Sequence, residues 1–147
     1  MKKNKKKIML VDDSPIMLRN IKSILDQNYE VLLTTSGRQA LKAIPEKEPD
    51  LVVLDYKMPD LDGKTVFEEM QNDEYMKDIP VIFLTSVSNS DMIKAILKLK
   101  PAGYILKPPD KDKVLETIQN ALKKSNTTQQ AAEREPASPF RPKGWGI

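Results

Sequence analysis

Short apolar runs, each too brief for a helix, recur along the chain between longer stretches in which apolar residues fall three and four apart. The runs are Ile8 to Val11, Val31 to Leu33, Leu51 to Leu54, Val81 to Leu84 and Tyr104 to Leu106. Unbroken apolarity over so few residues predicts strands buried on both faces, as in a parallel sheet covered by helices. After the first run, Met17, Ile21 and Ile24, with Leu18 and Leu25 beside them, repeat at helical spacing. They follow Ser14-Pro15, a cap residue and a proline suited to the first helical position. Leu41 and Ile44 after Ser36-Gly37 mark a second helix, Val66, Phe67 and Met70 a third, Met92 to Leu99 a fourth, and Leu115, Ile118 and Leu122 a fifth.

Strands separated by one helix each join as parallel neighbours through right-handed crossovers. The expected fold is therefore α/β, a doubly wound (βα)5 sheet with helices on both faces and the five-stranded order 2-1-3-4-5. From Ser125 the pattern stops, and a polar stretch leads to Pro136, Pro139 and Pro142. The chain thus divides into a lysine-rich flank (1–7), one domain (8–124) and a polar, proline-containing tail (125–147) that reads as a truncated linker. Two isolated aromatics in that tail, Phe140 and Trp145, could anchor a short linear motif.

Composition narrows the chemistry more than the fold. Five of the first seven residues are lysine, and residues 8–124 hold 16 Lys and Arg against 19 Asp and Glu, so the globule is mildly acidic despite an overall charge of +3. With no aromatic interleaving or recognition helix, the lysines read as a solubilising flank rather than a nucleic-acid arm. The apolar run after them stops at Asp12, too short for an export signal, and no run approaches the ~20 residues of a membrane span. A cytoplasmic protein is expected. The chain has no cysteine and no histidine, which leaves carboxylate, hydroxyl and amine chemistry.

In an open α/β sheet, ligands bind beyond the carboxyl ends of the strands where the strand order reverses. Strand one is followed by Asp12-Asp13, strand three by Asp55, strand four by Thr85-Ser86 and strand five by Lys107-Pro108. Two carboxylates about 4 Å apart repel by roughly 4 kcal/mol at an effective dielectric of 20, so three on one rim need a cation. Oxygen ligands alone point to Mg²⁺, which leaves positions open to phosphate oxygens. A carboxylate in such a site can attack a phosphoryl group while the metal, Lys107 and the Thr85 hydroxyl gather its oxygens.

Four segments, in order, carry a family resemblance: Val11-Asp12-Asp13-Ser14, Leu54 to Gly63, Leu84-Thr85-Ser86, and Gly103 to Pro108. Over residues 8–124 the sequence resembles the response-regulator receiver domains of two-component signalling, chemotaxis regulators among them, which have the flavodoxin-like fold. The resemblance implies that Asp55 is the phosphoacceptor, and that Asp13 and Asp55 ligate Mg²⁺ with the Lys57 backbone carbonyl while Asp12 acts through water. Thr85 and Lys107 would bind the phosphoryl group. It further implies a cis Lys107-Pro108 peptide and a switch in which Thr85 moves toward the phosphate and Tyr104 turns inward. The implied partner is a sensor histidine kinase or phosphotransfer protein, since the chain has no histidine to act as its own donor. At most a slow autophosphatase activity is implied, not a classical enzyme.

Helix four supports an output face. Met92, Ile93, Ala95, Ile96, Leu97 and Leu99 cover about half its circumference, a stripe wider than one sheet face requires, unless the helix is deeply packed. A partner or a second copy of the chain could use the excess through helix four, strand five and helix five. Gly63-Lys64-Thr65 imitates the end of a nucleotide-binding P-loop, but Met58 stands where that motif needs glycine. An aspartate-nucleophile phosphatase would have a second acid two residues after its nucleophile, where this chain has Ser14, Pro15 or Lys57. A receiver cut from a DNA-binding regulator is a further alternative, although Pro109 replaces the phenylalanine usual after Lys-Pro in the winged-helix subfamily.

Overall fold

The computed structural model describes residues 5–86 and 90–134, with side chains as far as Ser125. Its elements are β1 (Lys7–Val11), α1 (Pro15–Leu25), β2 (Glu30–Thr34), α2 (Gly37–Lys47), β3 (Leu51–Asp55), α3 (Gly63–Gln71), a 3₁₀ turn (Met76–Asp78), β4 (Val81–Thr85), α4 (Ser90–Lys98), β5 (Gly103–Leu106) and α5 (Lys111–Arg134). All strands run parallel in the order β2-β1-β3-β4-β5, as expected for the doubly wound fold.

Successive strand residues point to opposite faces, so each strand feeds two cores. Met9, Val11, Val52, Leu54, Val81 and Phe83 pack under α2, α3 and α4, where Phe83 meets Tyr56 edge-on at 5.3 Å and Phe67 at 5.4 Å between centroids. Ile8, Leu10, Leu51, Val53, Ile82 and Leu84 pack on the other face under α1 and α5. Side-chain oxygens start four helices, α5 among them through Asp110 Oδ2, which accepts the Lys113 N–H at 3.0 Å. Ser14 Oγ accepts the Met17 N–H at 3.2 Å, Ser36 Oγ that of Gln39 at 3.1 Å, and Asp62 Oδ1 that of Thr65 at 2.9 Å. Such caps satisfy otherwise orphaned donors and contribute about 1 kcal/mol each.

Several details depart from the sequence reading. β2 and β5 are edge strands and only partly buried, with Leu33 at 44% and Leu106 at 49% exposure. The buried stripes of three helices are turned by about one residue. α1 buries Leu18, Ile21 and Leu25 rather than Met17 and Ile24; α2 buries Ala40 with Ile44 rather than Leu41; α5 buries Val114, Ile118 and Ala121 rather than Leu115 and Leu122. In α2 and α5 the compact Ala40, Val114 and Ala121 are fully buried, and the longer Leu41, Leu115 and Leu122 pack partly buried beside them. α4 is not deeply packed: Ile96 is buried while Leu97 is 52% exposed. α5 continues to Arg134, past the boundary expected near Lys124: Gln129 to Arg134 are good helix formers and no proline intervenes before Pro136. The rest of the tail, including Phe140 and Trp145, lies outside the described residues, as do residues 1–4 and 87–89.

Candidate functional site

Parallel register brings the strand ends to one rim. Val11 lies opposite Leu54, Asp55 opposite Leu84, and Thr85 opposite Leu106, so the residues at these ends become neighbours although distant in the chain. Backbone hydrogen bonds carry the register past the strands: Tyr56 N–H donates to Leu84 O at 2.9 Å, Lys107 N–H to Thr85 O at 2.8 Å and Asp12 N–H to Thr34 O at 3.2 Å.

Carboxylate oxygens of Asp12, Asp13 and Asp55 all lie within 4.8 Å of one another. Asp12 and Asp55 are buried at 2% and 3% exposure, whereas Asp13 is exposed. Lys107 Nζ reaches between the buried pair, 3.1 Å from Asp55 Oδ1 and 3.4 Å from Asp12 Oδ2. Burial, followed by the Asp12 charge, pushes the Asp55 carboxyl up from 3.8 to about 6, with Lys107 opposing and Asp13 adding a smaller push. Burial acts against the Lys107 charge, but Asp55 and Asp12 outweigh it and hold its pKa above the ordinary 10.5. One shared ammonium does not balance three carboxylates.

Two buried side-chain oxygens lack a hydrogen bond among the described residues, Asp12 Oδ2 and Thr85 Oγ1. Asp12 Oδ1 accepts the Ser14 N–H at 2.8 Å, leaving Oδ2 with only the Lys107 ammonium beside it. A buried oxygen left in this way costs about 1–3 kcal/mol, which a ligand can recover. Three hard oxygen donors around a deficit of positive charge fit a divalent cation such as Mg²⁺. Thr85 carries a buried hydroxyl from the same rim, suited to an incoming oxyanion.

The structure thus brings Asp12, Asp13, Asp55 and Lys107 together and places Thr85 at the end of the adjoining strand. Lys57 is exposed, in the loop after Asp55. Tyr104 is half-buried further back on β5, opposite Phe83, and not in the carboxylate cluster. The Lys107-Pro108 peptide is cis, as the resemblance implied. One positioning residue escaped the sequence reading. A Cβ on Gly63 would come within 2.3 Å of the Asp55 carbonyl oxygen and 2.8 Å of Tyr56 Cα, so only glycine lets α3 start this close to the phosphoacceptor candidate's backbone. Its position just after the Asp62 cap was the available signal. The same loop is tied to α2 by Arg38 Nε and Asp60 Oδ2 at 2.8 Å, with Asp60 in the left-handed region at φ 71°.

Comparison with known proteins agrees with this fold. Residues 8–119 match the family model of the response regulator receiver domain. The chain is 32% identical over 118 residues to chemotaxis protein CheY of Halobacterium salinarum, covering 80% of this chain and 97% of that one. It is 30% identical to the polar-differentiation response regulator DivK of Brucella ovis, with 80% and 96% covered. A 31% match to the transcriptional regulatory protein ZraR of Klebsiella oxytoca spans 90% of this chain but only 30% of that longer protein. Among solved structures, the N-terminal domain of a response regulator receiver protein from Methanoculleus marisnigri superposes with a TM-score of 0.64 at 32% identity, covering 77% and 93%. Vibrio cholerae chemotaxis protein CheY4 superposes with a TM-score of 0.74 at 24% identity, covering 80% and 98%, and speaks for the fold alone. With the family model spanning most of its length, the chain belongs to the response-regulator receiver domains.

Proposed function

We propose that the chain is a phosphoacceptor in a two-component phosphorelay, with Asp55 receiving a phosphoryl group from the phosphohistidine of a sensor histidine kinase or phosphotransfer protein. The observation that carries this reading is the cluster of Asp12, Asp13 and Asp55 with Lys107 as its single ammonium among the described residues. Asp13, Asp55 and the Lys57 carbonyl would hold Mg²⁺ directly and Asp12 through water. Bound there, the ion would neutralise the crowded carboxylates and the phosphoryl oxygens.

Asp55, with a pKa of about 6, is mostly ionised at neutral pH and so available as nucleophile. An Asp55 oxygen forms the new bond to phosphorus as the donor's P–N bond breaks; the departing imidazole nitrogen keeps that electron pair. Lys107 and the Thr85 hydroxyl bind the phosphoryl oxygens where charge accumulates. The product carries about −1.5 to −2 charges, by analogy with other phosphoryl groups, where the ionised carboxylate carried −1, drawing Thr85 toward the site and Tyr104 inward. The altered surface of α4, β5 and α5 then meets a downstream partner or a second copy, with no nucleic-acid contact by this chain itself. Autophosphatase turnover is slow, and the protein acts in the cytoplasm. In accord with that setting, no helix among the described residues is long and apolar enough to cross a membrane.

Intact-mass measurement after treatment with acetyl phosphate and Mg²⁺ tests the assignment. Wild type gains one phosphoryl group and Asp55→Asn does not. Unchanged labelling of the variant would refute Asp55 as acceptor.

A further inference from the structure

The loop between Asp55 and α3 closes at its neck, where the Gly63 N–H donates to the Tyr56 carbonyl oxygen at 3.0 Å. Its inner side is anchored by Met58, which is buried, and by Leu61, which packs half-buried against the same core. Its outer side meets α2. A Cβ on Gly37 would stand 3.0 Å from the Leu61 carbonyl oxygen and 2.6 Å from Val66 Cγ2, so glycine lets the first turn of α2 lie against the loop. The next residue, Arg38, donates from Nε to Asp60 Oδ2 at 2.8 Å.

Both partners in that contact sit where local preference is against them. Arg38 is the second residue of α2, after the Ser36 cap and Gly37, and a cation there opposes the helix dipole; no acidic residue in the first turn offsets it. Asp60 holds φ at 71°, in the left-handed region that disfavours side chains, although aspartate tolerates it better than most residues. Two locally unfavourable choices joined by one specific contact point to a demand from the neighbouring site.

We propose that Arg38 is a positioning residue for the divalent cation: by clamping Asp60 it holds the loop, and with it the Lys57 carbonyl, in the arrangement that ligates Mg²⁺. This role rests on Asp13, Asp55 and the Lys57 carbonyl being the Mg²⁺ ligands. Lys57 stands between Tyr56 at the neck and the buried Met58, and its own side chain is exposed, so the loop backbone sets where its carbonyl points. Asp60 is three residues further on. A change of φ there must be absorbed within residues 57–62, because Tyr56 and Gly63 are bonded to each other. A loop that is correctly set only part of the time binds the ion with a dissociation constant raised by the inverse of that fraction. The pair is exposed on both sides and therefore weak, which sets the expected change at about threefold.

Titration of the full chain with Mg²⁺ at about 0.15 M salt, followed by backbone amide shifts in NMR, reads the effect. Arg38→Met should raise the Mg²⁺ dissociation constant about threefold, and Asp60→Asn by as much. Because both break one contact, the double variant should also show about threefold rather than about ninefold. Arg38→Lys should keep most of the wild-type affinity. The direction is diagnostic, since loss of a cation near a metal site would by charge alone tighten Mg²⁺ binding. Labelling of Arg38→Met by acetyl phosphate should be slow at low Mg²⁺ and return to the wild-type rate at saturating Mg²⁺. Its urea midpoint in EDTA should match wild type, because loss of the pair and relief of the charge at the helix start offset each other. The proposal is overturned by an unchanged or lower dissociation constant in Arg38→Met, by single effects that multiply in the double variant, by slow labelling that saturating Mg²⁺ does not restore, or by a urea midpoint that falls along with affinity. Each of those results, with wild type still binding Mg²⁺ and labelled at Asp55, leaves the phosphoacceptor assignment standing. A wild type that binds no Mg²⁺, or labelling that persists in Asp55→Asn, overturns both.

Discussion

Replacing Asp55 with asparagine should stabilise the metal-free protein while destroying its proposed activity. The carboxyl is held at about 6 in the fold against 3.8 ordinarily, chiefly by burial and by Asp12. Between those values the folded state binds more protons than the unfolded one, so stability falls as pH rises through the window and the loss is complete above about pH 6. The full difference corresponds to about 3 kcal/mol at 1.36 kcal/mol per pH unit, and about 2 kcal/mol after allowance for solvent screening at the open rim. Asparagine carries no charge and avoids this cost. With an m-value of about 2 kcal/mol/M, the urea midpoint of Asp55→Asn should exceed that of wild type by about 1 M at pH 7.5 in EDTA, followed by far-UV circular dichroism. At pH 4.5 the gain should shrink to about a third, because the folded wild type is then protonated. Mg²⁺ at about a hundred times its dissociation constant should return about 2.7 kcal/mol to wild type. A variant no more stable than wild type at pH 7.5, or a gain equal at both pH values, would refute the claim that uncompensated negative charge dominates this site.

Three further substitutions separate stability from chemistry. Thr85→Val removes a buried hydroxyl that has no partner among the described residues; it should stabilise by about 1 kcal/mol in urea melts yet slow labelling by acetyl phosphate about 10²-fold. Lys107→Met should slow labelling by about 10²–10³-fold and move the Asp55 pKa, read by NMR titration in EDTA, above 6, since the one opposing ammonium is gone. Gly63→Ala forces a methyl against the Asp55 and Tyr56 backbone and should cost about 1–3 kcal/mol; a urea midpoint like wild type would show that the loop yields freely.

The apolar periodicity of this sequence determined its strand count, parallel topology and the rim on which chemistry gathers, because parallel strands bring all their carboxyl ends to one side whatever the packing details. Asp12, Asp13, Asp55, Thr85 and Lys107 were legible for that reason, each being the last residue of a strand or one of the two that follow it. Helix phase was not. Leu41 and Leu115 outrank Ala40 and Val114 in hydrophobicity, yet the compact residues are the ones fully buried, since distance between layers is settled only when both surfaces meet. The exposure of β2 and β5 likewise follows from their place at the sheet edges, a property of the assembled order rather than of Leu33 or Leu106. Electrostatics belongs to tertiary structure as well: three acids are visible in the chain, but burying two of them beside one ammonium is what raises Asp55, because desolvation and charge separation exist only once the strands have paired.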